Sequence, residues 1–401
     1  MKFDLNKLVA VATEVLTSNI LPFWMEKMVD KEHGGFYGRI TGEGELMPEA
    51  EKGAILNARI LWTFSSAYRL LHRPEYLETA TRAKRYLIDK FYDREFGGVY
   101  WSLNAQGEPL DTKKQIYALG FAIYGLSEYH RATGDEEALQ VAISLFESIE
   151  AHSFDPVKNG YCEALSRSWE EIADMRLSAK DENERKTMNT HLHILEPYAN
   201  LYRVWKDERL KKQLGNLIAL FLDKILNAAT GHLELFFNDD WHSKYHIISY
   251  GHDIEASWLL HEAALVLSDE TLLQNQVEPM VEYIAAAADE GLQPDGSMIY
   301  ETHLDQHHTD ADRHWWVQAE SVVGHANLYQ YFGDEVMMQR ALHCWDYIQQ
   351  HLIDWEGGEW YWSIKADGTI NRTDDKAGFW KCPYHNSRMC LELIERFSKK
   401  D

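Results

Sequence analysis

The 401-residue chain is short of cysteine, of basic charge and of long apolar runs, and each shortage removes a class of protein. Four cysteines, Cys162, Cys344, Cys382 and Cys390, are too few and too scattered for a disulfide framework or a paired-cysteine zinc site, which fits a reduced cytoplasmic setting. Lys and Arg number 40 against 64 Asp and Glu, a formal net charge of −24, so the chain is a poor partner for nucleic acid or an anionic membrane. No apolar run is long enough to span a bilayer. The opening MKFDLNKLVAVATEVL is interrupted by Glu14 and has no small-residue cleavage site, which argues against a signal peptide. Also missing are the GxGxxG and GxxxxGK[ST] phosphate loops, the GxSxG nucleophile elbow and the HExxH zinc motif.

What is present suits a globular protein with a large core, since 45% of residues are hydrophobic and 26% charged. The 14 Trp, 21 Tyr and 15 Phe are numerous enough to line a cleft as well as fill that core. A glycine followed by aromatic and alternating residues recurs six times, in HGGFYGR, FGGVYWSLNAQG, KNGYCEALSRSW, TGHLELFFNDDW, PDGSMIYE and EGGEWYWSIKADG. Each reads as a short hairpin. Gly35, Gly98, Gly160, Gly231, Gly296 and Gly358 lie 63, 62, 71, 65 and 62 residues apart, a period of the kind that repeat architectures have.

Between the hairpins the apolar spacing is helical, as in Val11, Leu16 and Ile20 or Leu56, Ile60, Phe64 and Leu71. The pattern predicts about twelve helices, over 5–28, 51–71, 75–91, 112–132, 135–151, 185–206, 208–228, 251–268, 270–291, 313–332, 335–351 and 383–398. Pro197 is expected to kink the sixth, while the other prolines sit near a terminus or in a first turn. Two helices in each of six units form either an open solenoid or a closed ring. No terminal unit looks like a polar cap, so the expected architecture is all-α, an (α/α)6 barrel forming one domain over 1–401.

The residues with chemical potential fall in the first half of alternate helices. Arg59 is on the second, Tyr117 on the fourth, Asn189 and His193 on the sixth, His252 and Glu255 on the eighth, Trp315 and Trp316 on the tenth and His385 on the twelfth. If the even helices form a parallel inner ring, these positions meet at one end in a polar, aromatic funnel. His252 and Glu255 are three residues apart and are expected to hydrogen-bond, which would fix the imidazole tautomer for acid/base work. The plainer alternative is a buried histidine satisfied by its neighbour. His385 follows Pro383 at a helix start, and alone it would equally suit a structural role. Arg59, the one cation in ILNARILWTF, needs either a carboxylate partner or a negative charge that develops on a ligand. The run ETHLDQHHTDADRHWW, with His303, His307, His308 and His314, reads as a solvated loop, and no ligand set for a metal is evident. Several tryptophans beside polar groups suit sugars, whose C–H faces pack on rings while hydroxyls find hydrogen bonds.

The stretches KTMNTHLHILEPYANLYR, YGHDIEASWLLHEA, RHWWVQAES and FWKCPYHNSRMCLELIER closely resemble those of the cellobiose 2-epimerases in the N-acylglucosamine 2-epimerase superfamily of (α/α)6 barrels. The resemblance runs from the second helix to the C-terminus. It implies that His252 and His385 are the acid/base pair, with Glu255 supporting His252. It also implies that Arg59, Tyr117, Asn189 and His193 contact the reacting sugar, and that Asp181, Trp315, Trp316 and Trp380 help hold a disaccharide. The expected reaction is C2 epimerisation of the reducing-end glucose of a β-1,4-linked disaccharide, with no cofactor and no metal, by a cytoplasmic monomer or weak homodimer. Mannobiose 2-epimerases and aldose–ketose isomerases of the same superfamily are the alternatives, and a glycoside hydrolase or a non-catalytic sugar-binding module lies further off. A hydrolase would need two carboxylates flanking the bond.

Overall fold

The computed structural model describes residues 3–398, and in it the helical segments join into twelve helices, each within a few residues of its expected place. These are α1 (Leu5–Lys27), α2 (Ala54–Leu71), α3 (74–91), α4 (Ile116–Thr133), α5 (Glu136–His152) and α6 (Met188–Val204), then α7 (208–225), α8 (Tyr250–Leu267), α9 (270–288), α10 (Trp315–Phe332), α11 (335–352) and α12 (Tyr384–Phe397). In α2, α4 and α10 every one of the first fourteen residues is buried, the mark of a helix surrounded by protein. The odd helices are one-sided, and α3, for example, buries Tyr76, Thr79, Ala80 and Ala83 while its other face meets solvent.

Packing closes the ring. Helix α2 lies on α4, α4 on α6, α6 on α8, α8 on α10, α10 on α12 and α12 back on α2, while the odd helices cover this ring from outside, α1 on α12 and α7 across α6 and α8. The result is the expected (α/α)6 barrel. One expectation fails at α1, which by length and composition is apolar enough to cross a membrane. Its apolar face instead packs inside the protein, burying Leu16, Ile20, Leu21 and Trp24, whose indole N–H donates to Glu359 at 2.6 Å. A helix that closes a barrel seam needs such a face, and single charged residues spaced along its other side hide it from a search for uninterrupted runs.

The six hairpins stand where the glycines mark them, each pinned by one backbone bridge: Val29–Phe36, Tyr92–Val99, Phe154–Tyr161, Leu226–Leu233, Leu292–Met298 and Ile353–Trp360. The left-handed backbone and the crowding explain the glycine: at Gly160 (φ 90°) an added Cβ would lie 2.3 Å from the Trp241 ring. Two- and three-residue strands then tie the start of an inner helix to the next hairpin, as Lys52–Gly53 does with Ser102–Leu103, and an Ile40–Ala377 bridge joins the last repeat to the first.

Lysines two or three residues before an inner helix make a recurrent latch that the sequence analysis missed. Lys52 Nζ lies 2.6 Å from Asp30, Lys114 Nζ 2.8 Å from Asp93 and Lys381 Nζ 2.7 Å from Glu359, all six side chains fully buried. In the α8 repeat the His232–Asp253 pair at 2.7 Å takes this place, and in the α10 repeat Gln318 does so by bonding both backbone groups of Met298 at 2.8 Å.

Pro197 kinks α6 as expected. The break falls at His193 (φ −90°, ψ 15°), four residues earlier, where the proline ring removes the hydrogen bond to the carbonyl. That carbonyl approaches α4 at Gly120, where a Cβ would stand 2.2 Å from it. Pro22 and Pro279 lie deeper within their segments than a terminal placement implies. They are tolerated because π turns at Leu16–Ile20 and Leu273–Val277 restart the helix immediately before them, which puts each proline in a first turn.

The latches carry a stability prediction. Lys52→Ala leaves the Asp30 carboxylate buried without its counter-ion, and the unfolding free energy from urea titration at pH 7 is expected to fall by about 3–5 kcal/mol. Substitution of the exposed Lys31 on the same turn serves as the near-neutral control.

Candidate active site

Helix polarity brings the first halves of the inner helices to the hairpin end of the barrel, where they enclose a cavity of about 520 Å³. All eleven residues singled out from the sequence line it: Arg59, Tyr117, Asp181, Asn189, His193, His252, Glu255, Trp315, Trp316, Trp380 and His385. Trp316 is shared by the two candidate catalytic histidines, with its ring 4.8 Å from that of His252 and 5.6 Å from that of His385. Tyr117 stands edge-on to His193 at 5.0 Å and lies 6.2 Å from Trp380. Asp181 comes from the long segment between the third hairpin and α6, where one carboxylate oxygen accepts from the Ser178 amide at 2.8 Å and hydroxyl at 2.7 Å.

The i,i+3 rule pairs Glu255 with His252, and the structure overturns that pairing. His252 Nδ1 instead meets Ser249 Oγ at 2.7 Å. Glu255 turns to Arg388, whose Nη2 donates to it at 2.6 Å and to Glu320 at 2.6 Å, while Nη1 donates to Glu196. Ser249, at the turn into α8, offers His252 a hydroxyl closer to hand, while Glu255 joins Glu320 on Arg388. The histidine that does gain carboxylate support is His385, whose Nδ1 lies 2.7 Å from Glu320 and 4.0 Å from Glu255. The i,i+3 pairing holds one helix earlier, where His193 Nδ1 meets Glu196 at 3.1 Å.

Electrostatics follow from this network. Burial raises the carboxyl of Glu196, but Arg388, His193 and Tyr384 more than offset it and hold it down to about 2, so Glu196 is ionised. Glu255 is driven far above the usual carboxyl range by burial and by neighbouring Glu320, and burial raises Glu320 as well. Glu320 accepts from Arg388 and from Trp258 Nε1 at 3.0 Å and lies 2.7 Å from Nδ1 of His385. Burial together with Arg59 and Arg388 lowers His385 well below the ordinary imidazole range, and burial with His193 nearby pushes His252 down to about 3. Both rings are therefore neutral at pH 7. A neutral imidazole with Nδ1–H committed to a partner presents a basic Nε2.

Arg59 settles the question its burial raised. Nη2 donates to the Tyr117 hydroxyl at 2.8 Å, Nη1 reaches Cys382 Sγ at 3.5 Å, and the guanidinium lies against Phe121 and Tyr384 at 4.1 and 4.7 Å. No carboxylate pairs with it among the described residues, and it remains protonated although burial opposes the charge. Because Arg59 occupies the Tyr117 oxygen as donor, the Tyr117 proton is free to point into the cavity.

The histidine-rich run is also more ordered than a solvated loop. Glu301–His303 and His308–Asp310 form a hairpin whose inner strand pairs with Ile247–Ser249. His307 and His308 are exposed, but His314 stacks on Tyr300 at 4.0 Å and lines the cavity, where burial lowers it to about 4. Glu255, Glu320 and His385 offer ligand atoms within 4.8 Å of one another. The Arg388 guanidinium already sits on both carboxylates, so this trio does not fit a metal ion.

Glu196, Glu320, Arg388 and Ser249 are the functional residues that sequence reasoning missed. Glu196 was accessible through the same His-x-x-Glu spacing that was read at 252 and 255. Ser249 is likewise local, three residues before His252 at the start of α8, while the Glu320 and Arg388 pairings cross between helices and only a fold supplies them.

Comparison with known proteins agrees with this geometry. The pattern of the N-acylglucosamine 2-epimerase (GlcNAc 2-epimerase) family matches residues 35–388. A cellobiose 2-epimerase of Bacteroides fragilis is 71% identical over 379 residues, covering 94% of this chain and 96% of the relative. The solved cellobiose 2-epimerase of Bacillus thermoamylovorans superposes with a TM-score of 0.93 at 43% identity, covering 98% of this chain and 100% of the other. A solved D-mannose isomerase, 21% identical, shares the fold with a TM-score of 0.85 over 98% of this chain and 99% of its own. The six-repeat barrel, the histidine-lined cavity and the match across nearly the whole chain all place this protein in the N-acylglucosamine 2-epimerase family.

Proposed function

We propose that the chain catalyses reversible epimerisation at C2 of the reducing-end glucose of β-1,4-linked disaccharides, taking cellobiose to 4-O-β-glucosyl-mannose and lactose to epilactose. The observation that carries the reading is a pair of neutral histidines, His252 and His385, both set against Trp316 in one tryptophan-rich cavity. The names of the relatives from Bacteroides fragilis and Bacillus thermoamylovorans point to the same disaccharide. Four free, buried cysteines suit a cytoplasmic enzyme.

The chemistry needs three things from the site. First, the pyranose opens to the aldehyde, because only a carbonyl at C1 makes the C2 hydrogen acidic. A donor must reach the ring oxygen and a base the C1 hydroxyl, tasks that fall to imidazoles with one free nitrogen. Second, a basic Nε2 removes the C2 proton to give an enediolate. Its developing oxygen charge meets the Tyr117 hydroxyl, which Arg59 turns toward the cavity and polarises from behind. Third, a proton returns to the opposite face of C2, giving the mannose configuration. His385, backed by Glu320, and His252, backed by Ser249, stand ready for the two faces. The carboxylates argue against hydrolysis, since each one lining the cavity is already engaged, Glu255 by Arg388, Asp181 by Ser178, Asp374 by Asn371 and Asp375 by Arg39.

Proton NMR of cellobiose in D2O with the purified protein and EDTA tests the reading. A mannose-type anomeric signal with deuterium at C2 is the expected result. A fructosyl product would reassign the enzyme as an aldose–ketose isomerase, and free glucose would make it a hydrolase. His385→Ala is expected to lower kcat by about 10²–10⁴-fold. Arg59→Met should cost about 10²–10³-fold in kcat with KM little changed, as loss of an oxyanion donor does. Glu320→Gln keeps the shape of the side chain but not its charge, and steady-state kinetics should find kcat reduced about tenfold or more.

A further inference from the structure

His252 stands where two parts of the cleft meet. Beside the part described above lies a second chamber of about 310 Å³, and nine residues, His252, Asn189 and Asp181 among them, line both. Ser249 and Glu163 line only the second, whose rim includes the exposed Lys180 and Glu182 and so leads to solvent. Ser249 ends the strand before α8, is 2% exposed, and places its Oγ 2.7 Å from His252 Nδ1. His193 and His385, the two other histidines set on inner helices of the site, differ in this respect. They end on Glu196 and Glu320, both sealed beneath the cleft by Arg388. Of the three, only His252 has a neutral hydroxyl behind it, and that hydroxyl opens on a chamber with a route to water.

We infer that Ser249 is a positioning residue that relays the Nδ1 proton of His252 into this second chamber during epimerisation, an inference that rests on the reaction proposed above. A hydroxyl suits the task because it accepts one proton while donating another. When Nε2 of His252 takes the C2 proton, the C2–H bond breaks and an N–H bond forms. The Nδ1–H bond then breaks toward Ser249, whose own proton passes to water in the chamber, and His252 is left neutral with its proton on Nε2. The reverse sequence gives the Nε2 proton back to the sugar and draws one in from the chamber. His252 thus serves as base and acid without becoming an imidazolium, the form that its burial strongly disfavours. Glu163, held by Thr187 at 2.8 Å and Thr190 at 2.6 Å and raised by burial to about 7, is a suitable proton acceptor on the chamber wall.

The test compares the wild type with Ser249→Ala, Ser249→Thr and Ser249→Val on cellobiose, in increasing concentrations of imidazole buffer. Thr and Val are isosteric, and the extended backbone at this position (φ −113°, ψ 95°) accepts a β-branched residue. The pair therefore isolates the hydroxyl even if the alanine variant folds poorly. Expected are a fall in kcat of about tenfold for Ala and Val with KM within about twofold, recovery with Thr, and a kcat that rises with imidazole only where the hydroxyl is missing. The inference is overturned if Val matches Thr, or if Val is slow but indifferent to imidazole, which is how a packing defect behaves. A wild type that leaves cellobiose unchanged would instead sink the proposed reaction, so the two failures are distinct.

Discussion

One buried guanidinium organises the chemical end of this barrel. Arg388 of α12 reaches Glu196 of α6, Glu255 of α8 and Glu320 of α10, and none of these four side chains meets solvent to any extent. Three carboxylates at such depth would repel one another and favour their neutral forms. The cation holds Glu196 ionised, and Glu196 and Glu320 orient His193 and His385 through their Nδ1 atoms. The arrangement also ties four of the six inner helices to a single side chain, so the fold and the tautomers of the site depend on the same contact. Net stabilisation from such a cluster is modest, but removal of its centre would strand several charges at once.

The barrel separates these duties by radius. Outer helices are amphipathic and supply the apolar cover, while inner helices are buried on all sides and carry polar groups that must find partners inside the protein. Buried lysine latches, with a histidine and a glutamine standing in where lysine is missing, fasten five of the six inner helices near their starts to the hairpins behind them. The side chains that line the candidate site from these helices lie within the first two turns beyond those fastenings. Their positions are thereby fixed at the backbone before any side-chain contact is made.

Much of this was legible in the sequence because the governing signals are local or periodic. The 62–71-residue glycine spacing reports the hairpins, since only glycine fits a left-handed turn packed against a ring, and the helical apolar period reports the elements between them. Inner-ring placement followed from the position of polar residues along alternate helices, and all the residues so chosen line one cavity. What the sequence hid were choices between competing partners. His193–Glu196 and His252–Glu255 have identical spacing, and Arg388, remote in sequence, holds one oxygen of each glutamate, yet only Glu196 turns its other oxygen to its histidine, while His252 turns to Ser249. The π turns before Pro22 and Pro279 were hidden for a similar reason: a one-residue change in hydrogen-bond register leaves no mark in composition.

The two ends of the barrel are built to different rules. At the end away from the cavity, α2, α4, α8 and α10 stop on left-handed residues, His72, Gly134, Ser268 and Gly333, and the next helix begins within two residues. No length can be added there without disturbing the packing of a helix pair. At the cavity end the connections run through hairpins of unequal length, and the longest interval, 71 residues from Gly160 to Gly231, contains the segment that brings Asp181 to the cavity. Changes in reach, selectivity or closure over the ligand therefore have one margin on which to be made, and the scaffold beneath can stay constant while that margin is rewritten.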